Sequence, residues 1–463
     1  MDDRSDIPAR DDEEDEDEFG LDPRLVEEAL EAVEAGDVAR LHALLDPLHA
    51  ADIADLIEQV GPGERRALLS LWKGGVDGDV LSELDESLRE EVIEGLTPSE
   101  LALAVQDLET DDVVDLVEDL DAEGRSEVLA ALPAADRVAV EKALAYPEYS
   151  AGRLMQSEVV RAPVHWTVGD AIDYLRSGIE LPDQFYHVVL IDPRMKPLGY
   201  VTLGRILSSR RDVRLRDITE DSFRTFHVED EQGDVARAFE RYHLISAPVV
   251  DDDDRLVGVI TIDDAMTVLD EEHEEDILRL AGVGEGALSD PVWATARQRI
   301  PWLLVNLLTA GLAALVIAQF EGTIEALVAL AILMPIVASM GGNAGTQSLT
   351  VAVRALATRD LTRSNAGRVI RREALVGLLN GGALAVLLGG GTALLFGSPE
   401  LGGVIATALI VNLFVASLAG VFVPLFLERM GIDPALASGT FVTTVTDVVG
   451  FFAFLGLATV VLL

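Results

Sequence analysis

A chain of 463 residues that is 49% hydrophobic and yet carries a formal net charge of −46 cannot be one evenly mixed soluble domain. This acidity excludes nucleic acid as a partner, because neutralising phosphates takes an excess of Lys and Arg, and the lack of cysteine excludes a disulfide framework or a thiolate metal site. The charge is segregated: eight of the 81 acids and nine of the 35 bases lie from Pro291 onward, which leaves about −47 before that point and about +1 after it. With lysine only at Lys73, Lys142 and Lys196, most of the acidity reads as a solvated, salt-adapted surface.

Residues 1–20, which include RDDEEDEDEFG, have almost nothing to bury and read as a disordered acidic tail without an apolar signal-peptide core. Over 21–148 the pattern is helical, and Leu84, Leu96, Leu108, Leu120, Leu132 and Leu144 recur every twelve residues. Most are followed by cap or first-turn chemistry, as in LTPSE, LETDD and LPAAD, so each unit holds about two helical turns and a corner. The expectation is a stack of short helices wound as a superhelix. A second repeat follows: HVVLIDPRMKPLGYVTLGRIL (187–207) aligns without a gap to SAPVVDDDDRLVGVITIDDAM (246–266) at an offset of 59. Each gives strand, turn, strand, helix, and each is preceded by an amphipathic helix, TVGDAIDYLR or GDVARAFERY.

These copies resemble a tandem pair of CBS domains, placed at 149–210 and 211–268. In the second copy Gly258, Thr261 and Asp264 complete the pattern that in that family often holds the ribose of an adenine nucleotide. The first copy has Gly199 and Thr202 but Arg205 in place of the acid, so ATP is a candidate ligand at the second copy only. Asp264 also suits a purely structural role as a helix N-terminal acid. His187, His227, His243 and His273 read as surface or packing residues.

An acidic connecting, or plug, helix is expected over 269–292, with Asp270, Glu271, Glu272, Glu274, Glu275 and Asp276 repelling one another unless cations gather there. The last region, 293–463, holds five apolar spans of bilayer length near 300–320, 325–350, 369–396, 402–427 and 435–463. The loop after the second carries Arg354, Arg359, Arg363, Arg368, Arg371 and Arg372, whereas EGTIE and FGSPE carry no base, so that loop and the N-terminal domains are expected to be cytoplasmic. Polar residues inside the spans are few: Asn343, Asn380, Asn412 and Asp447. Pro335 with Gly341, Gly342 and Gly345 predicts a break in the second span that frees backbone carbonyls. An ionised Asp at that depth costs about 2.5–3.5 kcal/mol, so Asp447 should face a bundle interior or an aqueous path; the structural alternative is a bond to a threonine or arginine between helices.

PIVASMGGNAGTQ, the arginine loop, NGG in the third span, DPALASG and TTVTDVVGFF together resemble the MgtE family of magnesium channels and transporters, as does YPEYSAGRLM at 146–155. The order of parts agrees as well: a cytosolic all-α superhelical domain, an α+β CBS pair, an acidic connecting helix and an all-α five-helix transmembrane domain. The resemblance implies a homodimer in the cell membrane whose pore lies between the two sets of spans. It places a pore ion site at Asp447 with Asn343, Thr443 and Thr444 nearby. It also implies regulatory Mg²⁺ held by Asp264, Glu272, Glu275 and Asp276, with Asp111 and Asp115 from the helical domain. Its implied activity is Mg²⁺ import rather than catalysis; the alternatives are an exchanger coupled to Na⁺ or H⁺, a carrier of other divalent ions such as Co²⁺, or a nucleotide sensor that does not conduct.

Overall fold

The computed structural model describes residues 21–280 and 292–463, apart from 107, 119, 179–180, 183, 221–222 and 363 and the side chains at 86–87, 276, 294 and 436–438. The acidic tail expected over 1–20 lies outside the described residues. The chain divides into two compact units, one ending at Glu271 and the other starting at Glu272.

Ten short helices open the first unit: α1 (Pro23–Ala35), α2 (Val38–Leu45), α3 (Ala50–Gln59), α4 (Pro62–Leu71), α5 (Gly78–Glu83), α6 (Glu86–Gly95), α7 (Pro98–Ala104), α8 (Thr110–Glu118), α9 (Ala122–Ala131) and α10 (Ala134–Ala143). The side chains of Asp22, Asp37, Asp77, Thr97 and Asp121 cap five of them, each worth about 1 kcal/mol. The twelve-residue leucines stand at the corners: Leu84, Leu132 and Leu144 each follow the last residue of a helix. Leu84, Leu120 and Leu132 are buried, and Leu96, Leu108 and Leu144 pack against the same core from its edge.

After α11 (Ala151–Leu154) come two copies of one module. The first has β1 (Arg161–Pro163), α12 (Val168–Leu175), β2 (His187–Ile191), β3 (Pro197–Thr202) and α13 (Leu203–Ser208). The second has β4 (Phe226–His227), α14 (Gln232–Tyr242), β5 (Ser246–Val250), β6 (Leu256–Thr261) and α15 (Ile262–Leu280). In each sheet the first strand runs parallel and the third antiparallel to the middle one. The repeat extends to detail, since His187 pairs with Thr202 as Ser246 pairs with Thr261, and both ladders shift register at equivalent places, Leu190/Ile191 and Val249/Val250.

In the second unit, α16 (Val292–Ala318), a short α17 (Glu321–Ala326), α18 (Ala329–Ala357), α19 (Ala366–Phe396), α20 (Pro399–Arg429) and α21 (Pro434–Leu462) follow the end of α15. All but α17 are long and apolar enough to cross a membrane. The best-buried is α20, which packs against α18, α19 and α21. It approaches its neighbours through small residues: a Cβ on Gly402 would lie 2.5 Å from the Gly389 carbonyl on α19, and one on Gly420 would lie 2.7 Å from the Gly345 carbonyl on α18.

One expectation is corrected. The second span is an unbroken helix with Pro335 inside it, not a helix broken after the proline. Gly341 and Gly345 serve close packing instead, and Pro335, in the second turn, forfeits the bond its missing N–H would have made.

Candidate functional site

Asp447 sits near the middle of α21, half-buried, on one face with Thr443 and Thr444 at helical spacings of four and three. The threonine hydroxyls are spent on their own helix: Thr443 donates to the Gly439 carbonyl (2.9 Å), Thr444 to the Thr440 carbonyl (2.7 Å) and Thr446 to the Thr443 carbonyl (2.9 Å). Among the described residues no hydrogen bond or ion pair reaches the Asp447 carboxylate. Among the described residues, the structural alternative, a bond to threonine or arginine, is not made.

Asn343 is exposed on α18 and lines a cleft of about 340 Å³ with Met340, Gln347, Asn380, Leu384 and Leu413. Asp447 is not part of that lining, so a single chain does not bring Asn343 and Asp447 together. The reason is helical phase: Gly341 and Gly345 turn toward α20 and α21, which points Asn343 away from them.

The residue that joins the three helices is Asn412 on α20. It is fully buried, and its Nδ2 donates to the Val337 carbonyl of α18 at 2.9 Å, while Oδ1 has no partner among the described residues. Gly341 of α18 and Gly450 of α21 leave the room it occupies; a Cβ on either would lie 2.3 Å or 2.6 Å from Nδ2. Gly450 is one turn beyond Asp447, so Asn412 helps set where that carboxylate lies. Its polarity in an apolar span was visible in the sequence, but its packing partners were not. Another acid, Glu373 on α19, is buried and accepts a hydrogen bond from Ser348 (2.9 Å).

In the first unit, α8 meets the start of α15. Asp111 is buried, and its carboxyl group lies close to that of Asp264, so the two charges repel when both are ionised. Glu109, Asp112, Glu158 and Asp263 crowd the same place; the Gln156 amide donates to Glu109, and the Thr110 hydroxyl donates to Glu158 (2.7 Å). Burial, then the charge of Asp264, holds Asp111 well above the usual carboxylate range. Burial, then Glu158, pushes Glu109 up to about 7; burial, then Asp264, pushes Asp112 up to about 7. Burial pushes Asp264 up to about 6, with the Thr261 hydroxyl opposing it.

Other expected ligands are placed differently. Asp115 is on α8 but pairs with Arg89 at 2.7 Å. Glu272 and Glu275 belong to the second unit, where Glu275 pairs with Arg279 at 2.6 Å. The Asp276 side chain lies outside the described residues. Among the described residues no three acidic or imidazole side chains converge as a ready metal centre. The donor set still suits a hard divalent ion, because Mg²⁺ takes one or two carboxylates and keeps several waters, and Asp111 with Asp264 offers one buried and one half-buried carboxylate that repel when both are ionised.

Free carboxyls titrate near 4, so between about pH 4 and pH 7 this folded unit binds protons that the unfolded chain has released. The stability these groups contribute is complete below about pH 4 and is lost as pH rises through their folded values. His187, pushed down to about 4 by burial, works in the opposite direction, one group against four. Thermal unfolding of the purified protein in divalent-free buffer should therefore begin lower at about pH 8 than at about pH 5.5, and Mg²⁺ should remove most of the difference. An unfolding temperature that rises with pH would contradict this account of the cluster.

Of the nucleotide candidates, Gly258 is held by packing, since a Cβ there would lie 2.5 Å from the Met155 sulfur. Thr261 donates from its hydroxyl and N–H to Asp264 at the start of α15, the local capping role open to that acid. Beside them is a cleft with about 20 Å³ of interior space, room for about one water. The ring of His187 lies in it, bonded to Ser246, its counterpart 59 residues on, and packed on Tyr200; His187 is thus a packing residue as expected.

A family model described as a divalent cation transporter, MgtE, matches residues 334–457; models of the MgtE intracellular N domain and the CBS domain match 48–149 and 151–212 with 215–271. A magnesium transporter MgtE of Bacillus subtilis is 29% identical over 92% of this chain and 94% of its own length. One from Thermus thermophilus is 31% identical over 96% of this chain and 99% of its own. A solved cytosolic domain of the Mg²⁺ channel MgtE in complex with ATP covers 52% of this chain and 99% of that chain, at 26% identity and a TM-score of 0.49.

Proposed function

Because the chain belongs to the MgtE family, we propose that it carries Mg²⁺ down its electrochemical gradient into the cytoplasm, and that cytosolic Mg²⁺ closes it. The observation that carries the first part is the Asp447 carboxylate in an apolar span, without a partner among the described residues and beside threonines that have spent their donors elsewhere. In a homodimer two copies of Asp447 face one axis, and two carboxylates set wide enough for a hydrated ion attract it without stripping its waters. Asn343, which faces away from Asp447 in its own chain, contributes from the partner copy or along the path.

The gating part rests on the repulsion at Asp111 and Asp264. A divalent ion held there cancels the repulsion and favours the closely packed arrangement of helical domain and CBS pair. Glu272, Glu275 and Asp276 extend the sensor along the connecting helix, and Asp115 joins it on leaving Arg89. ATP at Gly258, Thr261 and Asp264 requires the small cleft beside them to widen. The arginine loop supports a cytoplasmic side for the soluble domains, in keeping with a protein of the cell membrane.

Uptake of Mg²⁺ into liposomes containing the protein tests the reading. Uptake should proceed with no Na⁺ or H⁺ gradient and should not be matched by Co²⁺ at equal concentration. A strict requirement for either gradient would establish the exchanger instead.

A further inference from the structure

Two opposite faces run along α19. Gly377 and Gly381 press one face onto α20: a Cβ on Gly377 would lie 2.8 Å from the Ser417 hydroxyl oxygen, and one on Gly381 would lie 3.0 Å from the Ile410 Cα. Half a turn round the helix, Arg368, Arg372, Leu375, Leu379, Gly382 and Val386 follow one another at alternating steps of four and three residues, which makes them a single straight stripe. That stripe faces outward, since both arginines are exposed and Leu375, Leu379 and Val386 are 62%, 73% and 76% exposed. A Cβ on Gly382 would meet nothing within 4 Å, so the stripe is notched there. From Leu375 to Val386 it rises about 16 Å, the depth of one leaflet in a hydrocarbon core about 30 Å thick.

The cationic end of the stripe has no acid to answer it. Among the described residues neither Arg368 nor Arg372 pairs with a carboxylate, and the adjacent acid, Glu373, is turned inward to Ser348. Arg371 donates from Nε to the Gly367 carbonyl of its own helix at 3.1 Å and adds a third positive charge at the same level. We propose that this stripe seats one anionic phospholipid, its phosphate held between Arg368 and Arg372 and an acyl chain lying along Leu375, Leu379 and the notch at Gly382. Guanidinium groups one turn apart reach a common phosphate, and an apolar strip of leaflet depth directly beneath them takes the chain. Orientation of the spans alone needs positive charge somewhere in the loop, not arginines in line with such a strip. A second copy of this chain fits the stripe less well, because a two-fold axis beside it would set arginine against arginine. The proposal takes the long apolar helices as membrane spans and is independent of the ion they carry.

Native mass spectrometry of the full-length protein, released from micelles holding equal amounts of phosphatidylglycerol and phosphatidylcholine, tests the site. The native chain should retain phosphatidylglycerol in preference. Arg368→Gln with Arg372→Gln should weaken that retention about thirty-fold and leave the two lipids alike. Insertion should keep its orientation, because Arg354, Arg359, Arg363 and Arg371 remain. Gly382→Phe keeps every arginine but fills the notch, and should also lower retention. Arg194→Gln with Arg214→Gln, an equal change of charge on the exposed surface of the first unit, should alter nothing. If the Arg368 and Arg372 substitutions leave the preference intact, those arginines only orient the chain and the proposal fails. It fails too if Gly382→Phe retains the lipid as the native chain does, or if soluble glycerol phosphate displaces it at equal concentration, since either result means an anion site with no seat for a chain. Substitutions in the stripe that change the ratio of monomer to dimer without changing lipid retention would assign the stripe to a second copy instead.

Discussion

Asp447→Asn should lower Mg²⁺ uptake into liposomes roughly 100-fold while leaving the protein folded and inserted. A divalent ion about 5 Å from a unit charge, at an effective dielectric of about 20, gains about 6–7 kcal/mol of Coulomb energy. If half of that survives desolvation, about 3 kcal/mol is lost with the charge, and each 1.4 kcal/mol is a factor of ten. Asparagine keeps the size and one oxygen, and no bond within the chain is broken, because none reaches the Asp447 carboxylate among the described residues. Native uptake in this variant would remove Asp447 from the ion path. Loss of uptake accompanied by a large fall in thermal stability would mean instead that the carboxylate holds helices together.

Asp111→Asn combined with Asp264→Asn should make uptake independent of internal Mg²⁺. The two carboxyls lie close together where α8 meets the start of α15, so with both charges removed the repulsion and the ion that relieves it vanish together. No inhibition should remain across the range of internal Mg²⁺ that inhibits the native protein, a shift of at least about ten-fold, equivalent to about 1.4 kcal/mol of coupling, within the usual range for allosteric sites. The same pair of substitutions should abolish the Mg²⁺-dependent rise in unfolding temperature. Inhibition that survives them would place the sensor elsewhere, on the connecting helix alone.

Much of the architecture was legible because it repeats. Leucines twelve apart marked the helix corners, and the offset of 59 between the CBS copies is the same spacing that separates His187 from the Ser246 it meets. Five apolar runs became five long helices because nothing in them competes with helix formation at membrane depth. The glycines after Pro335 misled, since glycine reads alike whether it loosens a helix or admits a neighbour such as Asn412.

The candidate sites were harder to read for a related reason. Asp447 stands out in an apolar span, so one acid was enough to find it. In the soluble part acids are everywhere, and no local pattern separates Glu109, Asp112, Glu158 and Asp263 from their solvated neighbours. They come together only when 109–112 meets 156–158 and 261–264 in space. Asp115 and Glu275 looked alike in sequence, whereas in the fold each is claimed by an arginine, Arg89 or Arg279. Arg279 drew no notice because it is the one base at the end of an acidic helix, where a cation near the helix C-terminus is ordinary.

The most direct test of the whole account is Mg²⁺ uptake into liposomes bearing the native protein, with no Na⁺ or H⁺ gradient, measured as internal Mg²⁺ is raised. The account predicts rapid uptake at low internal Mg²⁺ that falls steeply as the sensor fills, while the driving gradient is still large. Uptake that declines only in proportion to the remaining gradient, or that never starts without a second ion, would contradict it.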